Sequence, residues 1–186
     1  DAWLQRHGPY IRHLTLSIDS IDPDTARRLG RTPKSTKSEN HLAHALEISA
    51  QVHMFNSIRP AERRIRLKLN ITITALNAHE DPSDFIRRYR PERVKVLQML
   101  TVEGENDSAA HLACPDADFA AYVERLGPLV AEGIAIVPET VEDMDGSYAM
   151  VNPAGCFYQR VDGRYKTSRP IVEVGVAAAW ADVGGY

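Results

Sequence analysis

Cysteine is nearly absent: Cys114 and Cys156 are the only two in 186 residues, and neither sits in a CxxC pair or a His-rich cluster. Their separation argues against a disulfide framework and a structural zinc site and leaves two inert thiols. Long apolar runs are missing as well. None approaches the ~18 residues a membrane span needs, and no signal-peptide pattern opens the chain, so the expected compartment is the cytoplasm. Positive charge is not in surplus. Lys and Arg number 22 against 25 Asp and Glu, a net charge of −3, which argues against a general binder of nucleic acid or of membrane surfaces. The basic residues must therefore act locally. The glycine-rich dinucleotide fingerprint, the P-loop and the GxSxG elbow are all absent. His41 and His44 stand three apart with no third His or carboxylate at ligand spacing, and read as ordinary helix-surface residues.

What is present is a globular composition, 44% hydrophobic and 25% charged, with enough apolar side chains for a sizeable core. The periodicity alternates strand and helix. HLTLSID at 13 to 19 puts Leu14, Leu16 and Ile18 on one side, and IRLKLNITIT at 65 to 74 sets Ile65, Leu67, Leu69, Ile71 and Ile73 against Arg66, Lys68, Asn70, Thr72 and Thr74. Helices are predicted from Asp22-Pro23 to Arg28, ending at Gly30, from Ser38 to Ile58, from Asp81-Pro82-Ser83 to Tyr89, and over 115 to 127. Strands are predicted at 92 to 102 and 134 to 139. This β-α-β succession predicts an α/β fold whose parallel strands form an open sheet or a barrel. From Tyr148 the pattern changes to two short apolar strands around Asn152-Pro153-Ala154-Gly155, read as a hairpin. The division expected is a β/α part over 1–140 and an extension over 141–186. DAWLQRHGPY at 1 to 10 reads as the last turns of a helix, and both ends of the chain look cut.

Within this pattern RPERVKVLQMLTVEGEN at 90 to 106 stands out, because Arg93 and Lys95 leave the same face of an otherwise apolar strand. Two cations side by side on a mostly buried strand call for an anion, and phosphate is the candidate. Ligands of parallel β/α sheets collect at the carboxyl ends of the strands, so Ser17, Lys68 with Asn70, and Arg93 with Lys95 are expected to line one concave surface. Each has a plain alternative. Ser17 alone is a satisfied strand hydroxyl, Lys68 reaches solvent from an edge strand, and Arg93 and Lys95 pair with Glu103, Glu105 or a helix carboxylate. Arg31 to Glu39 reads either as a solvated linker or as a loop facing a phosphate or cofactor, with Arg31 offering a planar donor to a carboxylate. Glu103-Gly104-Glu105-Asn106 is a weak candidate for a divalent-cation site.

RVKVLQMLTVEGEN at 93 to 106, IVPETVEDMDGSYAMV at 136 to 151 and VEVGV at 172 to 176, preceded in order by LSIDS, LGR and LKLNIT, resemble viperin and its prokaryotic relatives, the radical S-adenosylmethionine nucleotide dehydratases. The resemblance covers nearly the whole chain. It implies the C-terminal portion of a partial (β/α)6 radical-SAM barrel with a C-terminal hairpin extension covering the active site, a 4Fe–4S cluster, S-adenosylmethionine and an electron donor. It also implies the reaction, in which a ribonucleoside triphosphate loses water to become its 3′-deoxy-3′,4′-didehydro analogue, an antiviral chain terminator. By resemblance Ser17 and Arg31 contact the cofactor, Arg31 through the methionyl carboxylate, and Asn70 is the amide at cofactor and substrate. Lys68, Arg93 and Lys95 clamp the triphosphate, Tyr148 stands next to the sugar, and Lys166, one position out of register, is a further triphosphate ligand.

The family's CxxxCxxC is not in these 186 residues, and a segment around Met54 to Arg64 reads as an insertion before Lys68. Three functions follow from the sequence: part of a radical-SAM nucleotide dehydratase, a nucleotide-binding module without catalysis, or an unrelated phosphate-binding β/α enzyme in which Lys68 is a Schiff-base or acid-base residue.

Overall fold

The strongest local signal, the alternation at 66 to 73, becomes the central strand of the fold. A computed structural model describes residues 2–31 and 41–184 and divides the chain into two compact units, Asp1–Gln98 with Cys114–Pro138, and Met99–Ala113 with Glu139–Tyr186. The remainder of the loop expected at 31 to 39, and residues 38–40 of the helix expected from Ser38, lie outside the described residues.

The first unit runs α1 (Ala2–His7), β1 (His13–Ser17), α2 (Pro23–Arg28), α3 (His41–Ser57), β2 (Arg66–Ile73), α4 (Ser83–Tyr89), β3 (Arg93–Gln98), α5 (Asp116–Arg125), α6 (Gly127–Ala131) and β4 (Ala135–Glu139). Its four strands form one parallel sheet in the order β1-β2-β3-β4. Helix boundaries follow the expected chemistry. The Asp22 side chain caps α2 by accepting from Thr25 N–H, with Pro23 at the first turn, and Gly30 takes a φ of 71° just past its end. The helix predicted over 115 to 127 stops at Arg125, because Gly127-Pro128 starts a separate short helix.

The sheet is apolar on one face. Leu67, Leu69, Ile71 and Ile73 of β2 and Val94 and Val96 of β3 are buried together with Val52 and Phe55 of α3, Ile86 and Tyr89 of α4, and Phe119 and Tyr122 of α5. The alternate residues of β2 and β3 are half-buried or exposed. Burial pushes the Tyr89 hydroxyl up to about 12 and raises that of Tyr122 further. A phenol whose folded value is raised favours the neutral, folded form. The contribution is intact below the ordinary value near 10 and is lost as pH climbs from about 10 toward 12. Alkaline titration followed at 295 nm is expected to show these two phenols ionising with unfolding, late and cooperatively. Smooth titration of every Tyr near pH 10 in the folded protein would contradict that assignment.

The second unit holds α7 (Val141–Met144), β5 (Met150–Val151), β6 (Cys156–Val161), β7 (Arg164–Pro170), α8 (Ile171–Val174) and α9 (Val176–Asp182). The expected hairpin is present as β5 and β6, and β7 extends it into a three-stranded antiparallel sheet. RYKTSRP carries no apolar alternation, so its side chains do not announce a strand. The turn does: Asp162 and Gly163 both take positive φ, 52° and 80°, closing a two-residue hairpin of the primed type. Among the described residues no helix is long and apolar enough to cross a membrane.

Candidate functional site

Parallel pairing decides which polar side chains become neighbours. Ser17 of β1 stands opposite Asn70 of β2, and Asn70 opposite Lys95 of β3; two residues back, Thr15 stands opposite Lys68 and Lys68 opposite Arg93. Because side chains repeat every two residues, these two rows leave the same face of the sheet, about 6.6 Å apart. A third row, His13 with Arg66, lies at the amino ends of the strands. Five sequence candidates, Ser17, Lys68, Asn70, Arg93 and Lys95, thus form one continuous polar ladder opposite the packed face.

The expectation that both β3 cations are buried needs correction. Lys95 is half-buried, but Arg93 is exposed because it is the first residue of its strand, at the rim of the sheet. Desolvation therefore argues for a partner at Lys95 and not at Arg93. Among the described residues neither Lys68 nor Arg93 makes an ion pair. The alternative partner Glu103 is taken, since both its oxygens accept from Arg164 at 2.7 and 3.0 Å within the second unit. A cleft of about 230 Å³ opens beside Lys68 and Arg93, walled by His13, Arg66, Glu92 and Ala135. Slight burial, with the Lys68 and Arg66 charges, holds the His13 imidazole below its usual range.

Arg31 is placed by a network that the sequence does not announce. Its Nε donates to Asp19 Oδ2, while its side chain stays half exposed. Asp19 is itself buried. Its Oδ1 accepts from Thr72 N–H at 2.8 Å, and its backbone carbonyl accepts from Asn77 Nδ2. Asn77 also donates to the Thr72 carbonyl at 2.8 Å and accepts from Thr74 N–H at 2.7 Å. Beside it, Glu80 accepts from Ser20 Oγ at 2.6 Å and from Ile21 N–H at 2.8 Å. The β1–β2 ladder ends at Ser17 and Asn70, and beyond it these side chains tie the carboxyl ends of the two strands together. The one available signal was polar residues just past two strand ends, Asp19 and Ser20 after β1 and Asn77 and Glu80 after β2.

Tyr148 and Lys166 belong to the second unit. Tyr148 is exposed, and its hydroxyl donates to Oε2 of Glu139, the last residue of β4 and itself part of the second unit; Lys166 is exposed on β7, opposite Gln159. The EGEN turn is also here, and it is held by its own polar groups. Asn106 Oδ1 accepts from Val102 N–H at 2.8 Å, Nδ2 donates to the Leu100 carbonyl at 2.9 Å, and Gly104 takes a φ of 81°. Among the described residues no three His, Cys, Asp or Glu side chains gather to hold a metal ion.

Both cysteines are free and buried, and burial together with the Asp118 and Asp116 charges pushes the Cys114 thiol up. Thiolate ligation favours the opposite shift, and a cluster of the 4Fe–4S type takes more thiolates than the chain contains. These residues do not fit such a cluster. Arg31 fits a carboxylate, since its anchored guanidinium keeps an outward edge in solvent.

Similarity to known proteins gives this ladder its context. The chain is 33% identical over 183 residues to the S-adenosylmethionine-dependent nucleotide dehydratase of Flammeovirga pacifica, covering 98% of this chain and 58% of that protein. It is 29% identical over 180 residues to the protein of the same name from Lacinutrix mariniflava, covering 96% and 35%. With the S-adenosylmethionine-dependent nucleotide dehydratase of Oncorhynchus mykiss it shares 28% over 185 residues, covering 96% and 49%. The chain is therefore similar, over nearly its whole length, to several proteins named S-adenosylmethionine-dependent nucleotide dehydratase. It spans 58% or less of the length of these three relatives, and no family model matches it. The match to the Flammeovirga pacifica protein covers 98% of this chain, so the polar ladder and the β5-β6-β7 sheet both fall within it.

Proposed function

We propose that this chain carries the nucleotide-binding side of a viperin-like radical S-adenosylmethionine dehydratase. In that reading it forms part of a partial (β/α)6 barrel, and the whole protein converts a ribonucleoside triphosphate to its 3′-deoxy-3′,4′-didehydro analogue by loss of water, giving an antiviral chain terminator. The observation that carries the proposal is the register, which brings Lys68, Arg93 and Lys95 onto two adjacent rows of one sheet face, with Ser17 and Asn70 beside them. Cations in two rows about 6.6 Å apart suit an extended polyphosphate better than a single phosphate. Lys supplies mobile point charges and Arg a planar fork.

S-Adenosylmethionine, when bound, supplies the adenosyl radical chemistry. Arg31 would hold its methionyl carboxylate, with Asp19 fixing the guanidinium and Ser17 and Asn70 offering a hydroxyl and an amide at the end of the ladder. The cluster's ligands and the surface that meets an electron donor would lie outside these 186 residues. Tyr148 is proposed beside the sugar and Lys166 as an outer triphosphate contact. The protein's own work is then positioning: it holds the ribose and excludes water and competing hydrogen donors.

The test is calorimetric titration of the chain with a panel of nucleoside triphosphates, followed by anaerobic turnover of the full-length protein reconstituted with cluster and S-adenosylmethionine. Triphosphate binding together with a product lighter by one water supports the proposal. Binding without product after reconstitution leaves a nucleotide-binding module, and no triphosphate binding overturns the assignment of the ladder.

A further inference from the structure

Next to the polar ladder, at the amino ends of β2 and β3, a cavity of about 470 Å³ is walled by cations and shares Arg66 and Glu92 with the cleft beside Lys68 and Arg93. Arg64, Arg66 and Arg90 line it together with His53, against a single carboxylate, Glu92. That is an excess of positive charge in a chain whose net charge is −3.

Three features show that the arrangement is held in place. First, Arg90 closes α4 in the left-handed conformation, φ 55° and ψ 53°, with its N–H donating to the Ile86 carbonyl at 2.8 Å. That position ordinarily takes glycine, because a Cβ there is strained. A long cationic side chain kept at such a site points to a use for the side chain. Second, the His53 imidazole lines the cavity and is held against the backbone of Tyr89 and Arg90, which ties α3 to the end of α4 where Arg90 stands. Third, the wall is fixed. Asn56 Nδ2 donates to the Ile65 carbonyl at 2.8 Å while its Oδ1 accepts from Ile65 N–H at 2.9 Å, and Arg64 Nε donates to the Arg59 carbonyl at 3.0 Å, leaving its terminal nitrogens available.

We propose that this cavity is a second binding site, for a small phosphate-bearing anion, centred on Arg64 and Arg90 and not on the ladder cations Lys68 and Lys95. Guanidinium groups converging from α4, β2 and the segment before β2 match the planar, multidentate recognition that a phosphate or diphosphate group needs. Arg66 is paired with Glu92 at 3.6 Å, a long and half-exposed contact that an incoming anion can replace. The segment around Met54 to Arg64, which looks like an insertion in the sequence, contributes Asn56 and Arg64 to the wall. The second site does not depend on the function assigned to the ladder.

Inorganic pyrophosphate serves as the probe, titrated calorimetrically into the full chain and into Lys68→Ala/Lys95→Ala, which disables the ladder. The doubled variant is expected to retain one equivalent of binding that weakens by about tenfold or more on adding Arg90→Gly, or independently Arg64→Ala. Arg90→Gly relieves backbone strain, so its thermal midpoint should equal or exceed that of the parent, which separates lost binding from lost folding. Absence of pyrophosphate binding in the ladder variant, or binding that neither Arg90→Gly nor Arg64→Ala weakens, overturns the proposal.

Discussion

Replacing Lys68 and Lys95 together by alanine is expected to weaken nucleoside triphosphate binding by about a hundredfold or more. Charge-assisted hydrogen bonds contribute roughly 1.5–3 kcal/mol each, and 1.4 kcal/mol is about tenfold in affinity. Both lysines are half-buried on adjoining rows of the ladder, so neither charge is fully screened by solvent. Arg93→Ala should cost less, because its guanidinium is exposed at the start of β3. Raising the salt concentration should flatten the Arg93 effect before the lysine effect. Folding should be largely unchanged in both variants, as neither removes apolar packing. Titration calorimetry with a nucleoside triphosphate reads the affinities directly. A loss of less than about tenfold in the double variant would place the triphosphate somewhere other than this face.

Asn77→Ala is expected to be the most damaging polar substitution in the first unit, at about 3–5 kcal/mol of unfolding free energy. Asn77 is fully buried. It accepts from Thr74 N–H and, at 2.9 Å, from Thr74 Oγ1, and it donates to the carbonyls of Thr72 and Asp19. Alanine would strand these groups away from water, which costs far more than the net value of the bonds removed. Asp19 would lose the bond to its backbone carbonyl and keep only the one from Thr72 N–H to its side chain, which weakens the support for Arg31. Asn77→Asp should do little better, since it loses both donors and buries a second carboxylate near Asp19. Urea unfolding monitored by circular dichroism measures the loss. A cost below about 1 kcal/mol would mean that solvent reaches this junction.

Where side chains alternate by polarity, the local pattern was sufficient. IRLKLNITIT could bury one face only by adopting the period of a strand, and Leu67, Leu69, Ile71 and Ile73 are buried accordingly. The caps of α2 and the stop at Gly30 likewise follow from Asp22, Pro23 and a glycine free to take positive φ. β7 lacked such a pattern, and only the Asp162-Gly163 turn marks it. The acidic turn after β3, which suggested a metal site, spends Asn106 on closing its own loop and Glu103 on Arg164.

The sequence by itself determined the faces: which residues of each strand are apolar, and that Arg93 and Lys95, like Lys68 and Asn70, leave their strands on one side. Tertiary structure decided their company. Register between parallel strands is set by packing far from any one segment, and it alone aligned Ser17 with Asn70 and Lys95, and Lys68 with Arg93. It also decided their solvation, leaving Arg93 exposed at a strand end and Lys95 half-buried two residues on. The physical reason is one of range. Alternation is a property of neighbouring residues, whereas the environment of a charge depends on every element that the fold brings around it.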